Sequence, residues 1–275
     1  MGGGGHGPKG SLAGGGGVWN AEGSKACVSD SCVFSKERKT GVKKSISLPG
    51  SSGGIQDLKQ VSSGNDFLIQ ETRNGIDNRG IWHLIKYAIV GQTTPFIKGA
   101  YVVWNTRWLS DHEIVYSTEN ISKPASLQSF DLNSGRTLSW TKERLPEQLD
   151  GKASSPEAIT WRSFDGKEIS GYVIKPRAAN EQHPVLIYVH GGPQTIDKPV
   201  FNAQDLRLIA NLGVAIIHTN IRGSSGFGSP FMDADNGAKR GDAVKVIRSL
   251  LDWISKQSDF DSRRVYIRGE SYGGF

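Results

Sequence analysis

A short apolar strand that runs straight into a glycine-bracketed serine sets the terms for this chain. Arg264-Val265-Tyr266-Ile267-Arg268 reads as a buried strand, and Gly269-Glu270-Ser271-Tyr272-Gly273-Gly274 follows with no spacer. G-x-S-x-G in that position fits a sharp strand-to-helix turn that forces the serine into a strained backbone conformation. Only small residues are tolerated two places to either side, and Gly269 and Gly273 occupy those places. The turn pushes the Ser271 hydroxyl out at the carboxyl end of a sheet, where α/β folds bind ligands. The Tyr272 N–H then faces the oxygen on which negative charge develops, and the positive end of a following helix adds to the attraction. The bland alternative is a glycine-rich structural turn.

Upstream residues supply such a sheet. Pro184-Val185-Leu186-Ile187-Tyr188-Val189 is a continuous apolar run suited to a strand buried on both faces. A helix is expected over 202–212, with Leu206, Ile209 and Leu212 on one face. Val214 to His218 reads as another buried strand. A long amphipathic helix is expected over 237–256, with Val244, Ile247, Leu250, Leu251 and Ile254 as its apolar stripe. Strand–helix–strand–helix–strand implies parallel strands with right-handed crossovers. Ahead of them, Ala158 to Phe164 and Glu168 to Lys175 form a hairpin across Asp165-Gly166. Straight after Val189 comes His190-Gly191-Gly192-Pro193, an H-G-G loop of the kind that donates a second backbone N–H to an oxyanion. Glycine permits close backbone approach there. Gly192 is the favoured donor and Gly191 the alternative. His190 suits a packed, hydrogen-bonded role, because in this arrangement the base follows the serine in the chain.

The first half reads differently. Residues 1–17 are mostly glycine and read as a flexible tail; they lack the apolar stretch of a secretory signal, which favours the cytoplasm. From Val18 to Thr141 short strands alternate with turns: Phe67–Thr72, a turn at Asn74 to Arg79, Ile81–Ile85, Glu113–Ser117, a turn around Ser122 to Ala125, and Leu127–Leu132 before Asn133-Ser134-Gly135. A repeat of about 45 residues is compatible with two or three propeller blades, fewer than the four a propeller usually needs. Cys27 and Cys32 have neither the redox nor the zinc spacing and read as ordinary thiols, with a local disulfide the lesser alternative. Residues 1–60 hold eight Lys/Arg against four Asp/Glu, which places much of the net charge of +6 there. Lys36, Arg38, Lys39, Lys43 and Lys44 read as a solvated loop or strand edge, without a nucleic-acid motif beside them. Asn120-Ile121-Ser122 is a glycosylation sequon for a secretory protein only. No apolar run approaches the roughly 20 residues of a membrane span.

Taken in order, Trp161-Arg162-Ser163-Phe164-Asp165-Gly166, Gly171-Tyr172-Val173-Ile174-Lys175-Pro176, His190-Gly191-Gly192-Pro193, 220–228 and Gly269 to Phe275 resemble the prolyl oligopeptidase family of serine peptidases, in its acylaminoacyl peptidase and dipeptidyl aminopeptidase branch. The resemblance is strong over 155–275 and looser before it. It implies an α/β hydrolase, here the N-terminal part of its sheet over 151–275, preceded by a partial, all-β, propeller-like region over 18–150. It implies Ser271 as nucleophile, Gly192 and Tyr272 as oxyanion donors, short peptides as substrates and no metal or organic cofactor. The family's Trp-Gly pair before the long helix is replaced by Lys239-Arg240-Gly241, while Asp242 matches and suits a helix cap or brace. The loop from Arg222 to Gly228 fits no phosphate-binding motif and suits the rim of the sheet. The triad order Ser, Asp, His puts acid and base after Ser271, yet all six histidines precede it. A partial sequence of a longer enzyme is therefore expected, nearly inert by itself, without the helix after the elbow or the final strands, and with the nucleophile strand left as an exposed sheet edge. An esterase or lipase shares the same elbow, and a non-catalytic binding protein would use the β-rich half alone.

Overall fold

In a computed structural model of the chain, the described residues are 102–110, 112–177 and 182–275, with the backbone of eight strands between 17 and 97. The glycine-rich segment 1–16, and the side chains of Cys27, Cys32 and the basic stretch, lie outside the described residues.

Three antiparallel meanders of four strands follow one another. The first runs β1 (Gly17–Trp19), β2 (Ser24–Ser29), β3 (Cys32–Glu37), β4 (Lys43–Ile46), so Gly17 begins a strand and is not part of a tail. Cys27 stands opposite Phe34 and Cys32 opposite Ser29, so the two cysteines are not register partners. The second runs β5 (Ile55–Gln60), β6 (Phe67–Arg73), β7 (Asp77–Ile85), β8 (Thr93–Ile97); β7 starts inside the segment expected to be a turn. The third runs β9 (Val102–Trp108), β10 (Glu113–Asn120), β11 (Lys123–Asp131), β12 (Thr137–Ser139). In β10 the buried residues alternate, Ile114, Tyr116 and Thr118, which is the period of two of a strand with one face covered. The β10–β11 turn is tighter than expected: the Asn120 side chain accepts from the Ser122 N–H at 2.9 Å, and pairing resumes at Lys123.

The next sheet contains β13 (Glu157–Arg162), β14 (Glu168–Ile174), β15 (His183–Val189), β16 (Ala215–Asn220) and β17 (Phe260–Gly269), in the order β13-β14-β16-β15-β17. The β13–β14 and β14–β16 pairs are antiparallel, and β15 is parallel to both β16 and β17. Its two faces carry different helices. Val173, Val185, Ile187, Val189, Ala215 and Ile217 face α3 (Arg240–Ile254), and Tyr172, Ile174 and Ile216 face α1 (Ala203–Leu212). The Asn202 side chain accepts from the N–H groups of Gln204 (2.9 Å) and Asp205 (3.3 Å), which caps α1, and Gly213 ends it at φ +63°. A four-residue α2 (Ser229–Met232) precedes α3.

The structure decides four expectations. Leu212 is 63% exposed, because at about 100° per residue it lies roughly 120° around α1 from Leu206. The buried stripe of α3 is Ala243, Val246, Leu250 and Ile254, while Val244 and Leu251 are exposed about 100–120° away. β17 has the apolar content of a buried strand and lies, as expected for the nucleophile strand of a partial sheet, at the outer edge, with Tyr266 58% and Ile267 60% exposed. Asp242 does not cap α3; it sits in the first turn and accepts from Lys245 at 2.8 Å.

Candidate active site

Three chain segments leave the carboxyl ends of the parallel strands together: His190 after β15, Ile221 after β16 and Glu270 after β17. Ser271 is exposed and has φ +50°, a left-handed conformation that a serine adopts only when its surroundings impose it. Those surroundings are backbone. A Cβ on Gly269 would collide with the Gly273 carbonyl, and one on Gly273 with the Val189 carbonyl. The Glu270 N–H donates to Val189 O at 3.3 Å, and the Gly273 N–H donates to Glu270 O at 2.8 Å. Because the first hydrogen bond of this turn starts from Gly273, the Tyr272 N–H is not consumed by it. Residues Ser271–Gly274 form one 3-10 turn.

The H-G-G loop faces this elbow. A Cβ on Gly191 would stand 3.2 Å from Ser271 Cβ, so Gly191 is the residue packed against the serine. Gly192 next to it has φ +127°. His190 is buried; its Nδ1 lies 2.7 Å from the Gly191 carbonyl and its Nε2 2.9 Å from Ser224 Oγ. A carbonyl only accepts, so the ring proton sits on Nδ1 and the Ser224 hydroxyl faces Nε2. Both nitrogens are occupied within the loops, and neither hydrogen-bonds to Ser271.

One buried group that the sequence reading passed over, Asp235, and one in the loop it placed there, Arg222, support the rim. Asp235, between α2 and α3, accepts from the Tyr272 hydroxyl at 2.6 Å, and its carboxylate packs where a side chain on Gly223 would otherwise stand. Burial, then the Asp235 hydrogen bond and charge, push the Tyr272 phenol up to about 12. Arg240 lies over the Tyr272 and Phe275 rings. Arg222 donates to Ser163 Oγ at 3.0 Å and to Asp165 Oδ1 at 2.6 Å, which ties the 220–228 loop to the β13–β14 turn. The Arg222 hydrogen bond holds the Asp165 carboxyl down at about 2. An isolated Asp in a polar segment carries no motif, so only the fold reveals Asp235.

Among the described residues, no group of His, Cys, Asp and Glu is placed to hold a metal ion. No helix among them is long and apolar enough to cross a membrane.

An α/β-hydrolase sheet with a serine elbow, preceded by blade-like meanders, defines the class. Residues 199–275 match the family model described as Prolyl oligopeptidase family. The chain is similar to dipeptidyl aminopeptidase BIII of Pseudoxanthomonas mexicana, with 31% identity over 180 residues, which is 62% of this chain and 26% of that protein. It is similar to the uncharacterized peptidase YuxL of Bacillus subtilis, with 30% identity over 169 residues, 60% of this chain and 25% of that one. The fold matches prolyl oligopeptidase B from Galerina marginata with a TM-score of 0.80 at 16% identity, covering 94% of this chain and 38% of that one. The chain thus spans about a quarter of the length of these two sequence relatives.

Proposed function

We propose that the protein carrying this chain is a serine peptidase that hydrolyses short peptides through an acyl-enzyme. The observation that carries the proposal is Ser271 itself: a left-handed, exposed serine at the carboxyl end of a parallel strand, seated against the H-G-G loop. Ser271 attacks the scissile carbonyl, and the N–H groups of Gly192 and Tyr272 stabilise the oxyanion of the tetrahedral intermediate. A histidine base, oriented by an aspartate, takes the Ser271 proton in this mechanism. Residues 151–275 form part of the hydrolase unit, and the meanders within 18–150 are propeller-like blades that screen the site and select short substrates. The similarity to dipeptidyl aminopeptidase BIII supports a peptide substrate over a simple ester.

The test is a comparison of aminoacyl amide and aryl ester hydrolysis by the intact protein and its Ser271→Ala variant. The expected outcome is amide hydrolysis that falls at least 1,000-fold in the variant, on the order of the loss when a triad member is removed. Unchanged amide hydrolysis in Ser271→Ala overturns the nucleophile, and hydrolysis confined to esters overturns the substrate class.

A further inference from the structure

Four charged side chains from four separate stretches of the chain meet inside the sheet's rim. His218 of β16 is buried, stacked on the Tyr172 ring of β14 (centroids 4.6 Å apart, 7° between planes) and edge-on to Tyr188 of β15 (5.1 Å). Its Nδ1 lies 2.8 Å from Asp197 Oδ2 and its Nε2 3.1 Å from Asp205 Oδ2. Asp197 belongs to the loop that begins with His190, and both its backbone groups are bound by the Asn220 side chain: Asp197 N donates at 2.8 Å, and Asn220 Nδ2 donates to Asp197 O at 3.2 Å. Asp205 lies in the first turn of α1 and also accepts from Arg268 of β17 at 3.1 Å. Arg268 lies over the Tyr188 ring, and the Tyr188 hydroxyl donates to Glu270, the residue next to Ser271, at 3.2 Å.

The ring's protonation follows from geometry. Ionised carboxylates only accept hydrogen bonds, and a singly protonated imidazole has one N–H. A carboxylate at hydrogen-bond distance from each nitrogen therefore requires protons on both. With Asp197 and Asp205 negative and Arg268 positive, an imidazolium brings the four charges to zero, which a buried cluster needs. Burial alone would drive the proton off, but the hydrogen bonds and charges of both aspartates outweigh it, and the His218 pKa rises to about 9. The groups facing the ring are Tyr172, Tyr188, Asp197 and Asp205, with Arg268 and Glu270 one contact further out. The Lys198 carbonyl accepts from the Tyr172 hydroxyl, and burial lowers the Lys198 ammonium to about 8.

We propose that His218 is a positioning residue: shared as an imidazolium between Asp197 and Asp205, it ties the loop carrying Gly192 to the strand end carrying Ser271 and Tyr272. The proposal rests on the reading of Ser271 as nucleophile. The two oxyanion donors sit on different segments, so their spacing depends on what joins those segments. The buried relay from Asp197 through His218, Asp205 and Arg268 joins them from beneath. Loss of the shared proton leaves two carboxylates facing an imidazole that satisfies only one, and the loop is released from the strand.

The experiment measures kcat, KM and the alkaline limb of the pH profile for the intact protein and for His218→Gln, Asp197→Asn and a control, His183→Gln. His183 is also buried but lies at the amino end of β15, with its ring against the Gly213 carbonyl. His218→Gln is expected to lower kcat at least tenfold with KM changed less than threefold, because oxyanion contacts act in the transition state. Asp197→Asn keeps the side chain's shape and removes one charge, so the alkaline limb moves down by one pH unit or more. The neighbouring Lys198 ammonium responds to the same charge, so Asp197→Asn is also measured on a Lys198→Met background, where a limb that still moves down belongs to His218 and an unmoved one overturns the assignment. His183→Gln keeps the parent profile. If His218→Gln does not fold, Asp197→Asn decides. Parent kcat and an unmoved limb in Asp197→Asn, with Ser271→Ala inactive, overturn the positioning role. An active Ser271→Ala overturns the nucleophile reading instead.

Discussion

Ser271 occupies a backbone conformation that costs a non-glycine residue of order 1–3 kcal/mol, and three glycines make it possible. Gly269 and Gly273 have carbonyl oxygens where a side chain would go, and Gly191 has the serine itself there. A Gly273→Ala substitution therefore meets a rigid strand end, not a flexible side chain. The expected outcome is a destabilisation of about 1–3 kcal/mol in chemical denaturation, with Ser271 labelling by a serine-directed phosphonate lost or strongly slowed. Labelling at the parent rate would show that the elbow adapts. The elbow could be read from the sequence because the small residues it needs stand at fixed places two positions to either side of Ser271, even though the carbonyl that Gly273 meets comes from a distant strand. His218, Asp197, Asp205 and Arg268 could not, because the nearest pair is separated by eight positions and no local pattern links them. The sequence singles out His190 and leaves His218 unremarked, although His218 has the more unusual surroundings.

Among the elements, α3 shows what periodicity conveys and what it omits. An apolar helix of about this length was legible between the Gly237 region and Lys256, and its phase in part: Leu250 and Ile254 are buried as expected, whereas Val244 and Leu251 are not. Leu250 and Leu251 are adjacent and chemically identical, and only their direction around the axis separates a fully buried side chain from an exposed one. Leu250→Ala is expected to cost about 2–5 kcal/mol through the cavity it leaves, while Leu251→Ala stays within about 0.5 kcal/mol. Equal shifts in the denaturation midpoint would contradict the observed phase. A polar anchor fixes it as well: Trp161 Nε1 of β13 donates to the Val246 carbonyl at 3.4 Å. For β17 the apolar content reads as buried and the missing neighbours as an exposed edge, and the structure has the edge. Apolar content records what a strand is able to cover, whereas exposure depends on its neighbours, and β17 pairs with β15 alone in this sheet.

For the whole molecule, the buried charges link stability to pH. The His218 pKa is raised from 6.5 to about 9 on folding. Its contribution is therefore fully present below about pH 6.5 and fades as pH rises through about 9. Thermal unfolding should shift to lower temperature across that window, and His218→Gln should flatten the dependence; an equally steep curve in the variant would assign it to other groups. The third meander is also joined to the hydrolase sheet. Ile121, at the tip of β10–β11, packs with Tyr172, Leu206 and Ile209, and the Phe201 N–H donates to Glu119 at 3.3 Å. The change in character near Lys152 was legible as a shift from hairpins to strand–helix alternation. The docking of Ile121 was not, since it joins residues some fifty to ninety positions apart.

The strand order carries a consequence for how such a protein is made. β14 hydrogen-bonds to β16 and not to β15, although β15 comes next in the chain. As the polypeptide leaves the ribosome, β14 and β15 emerge as neighbours with no bond between them and an empty slot the width of one strand. Only when Ala215–Asn220 has emerged can that slot fill, antiparallel on one side and parallel on the other. Until then the most apolar segments of this half have unpaired edges, which makes the interval a window for chaperone capture or misassembly during translation.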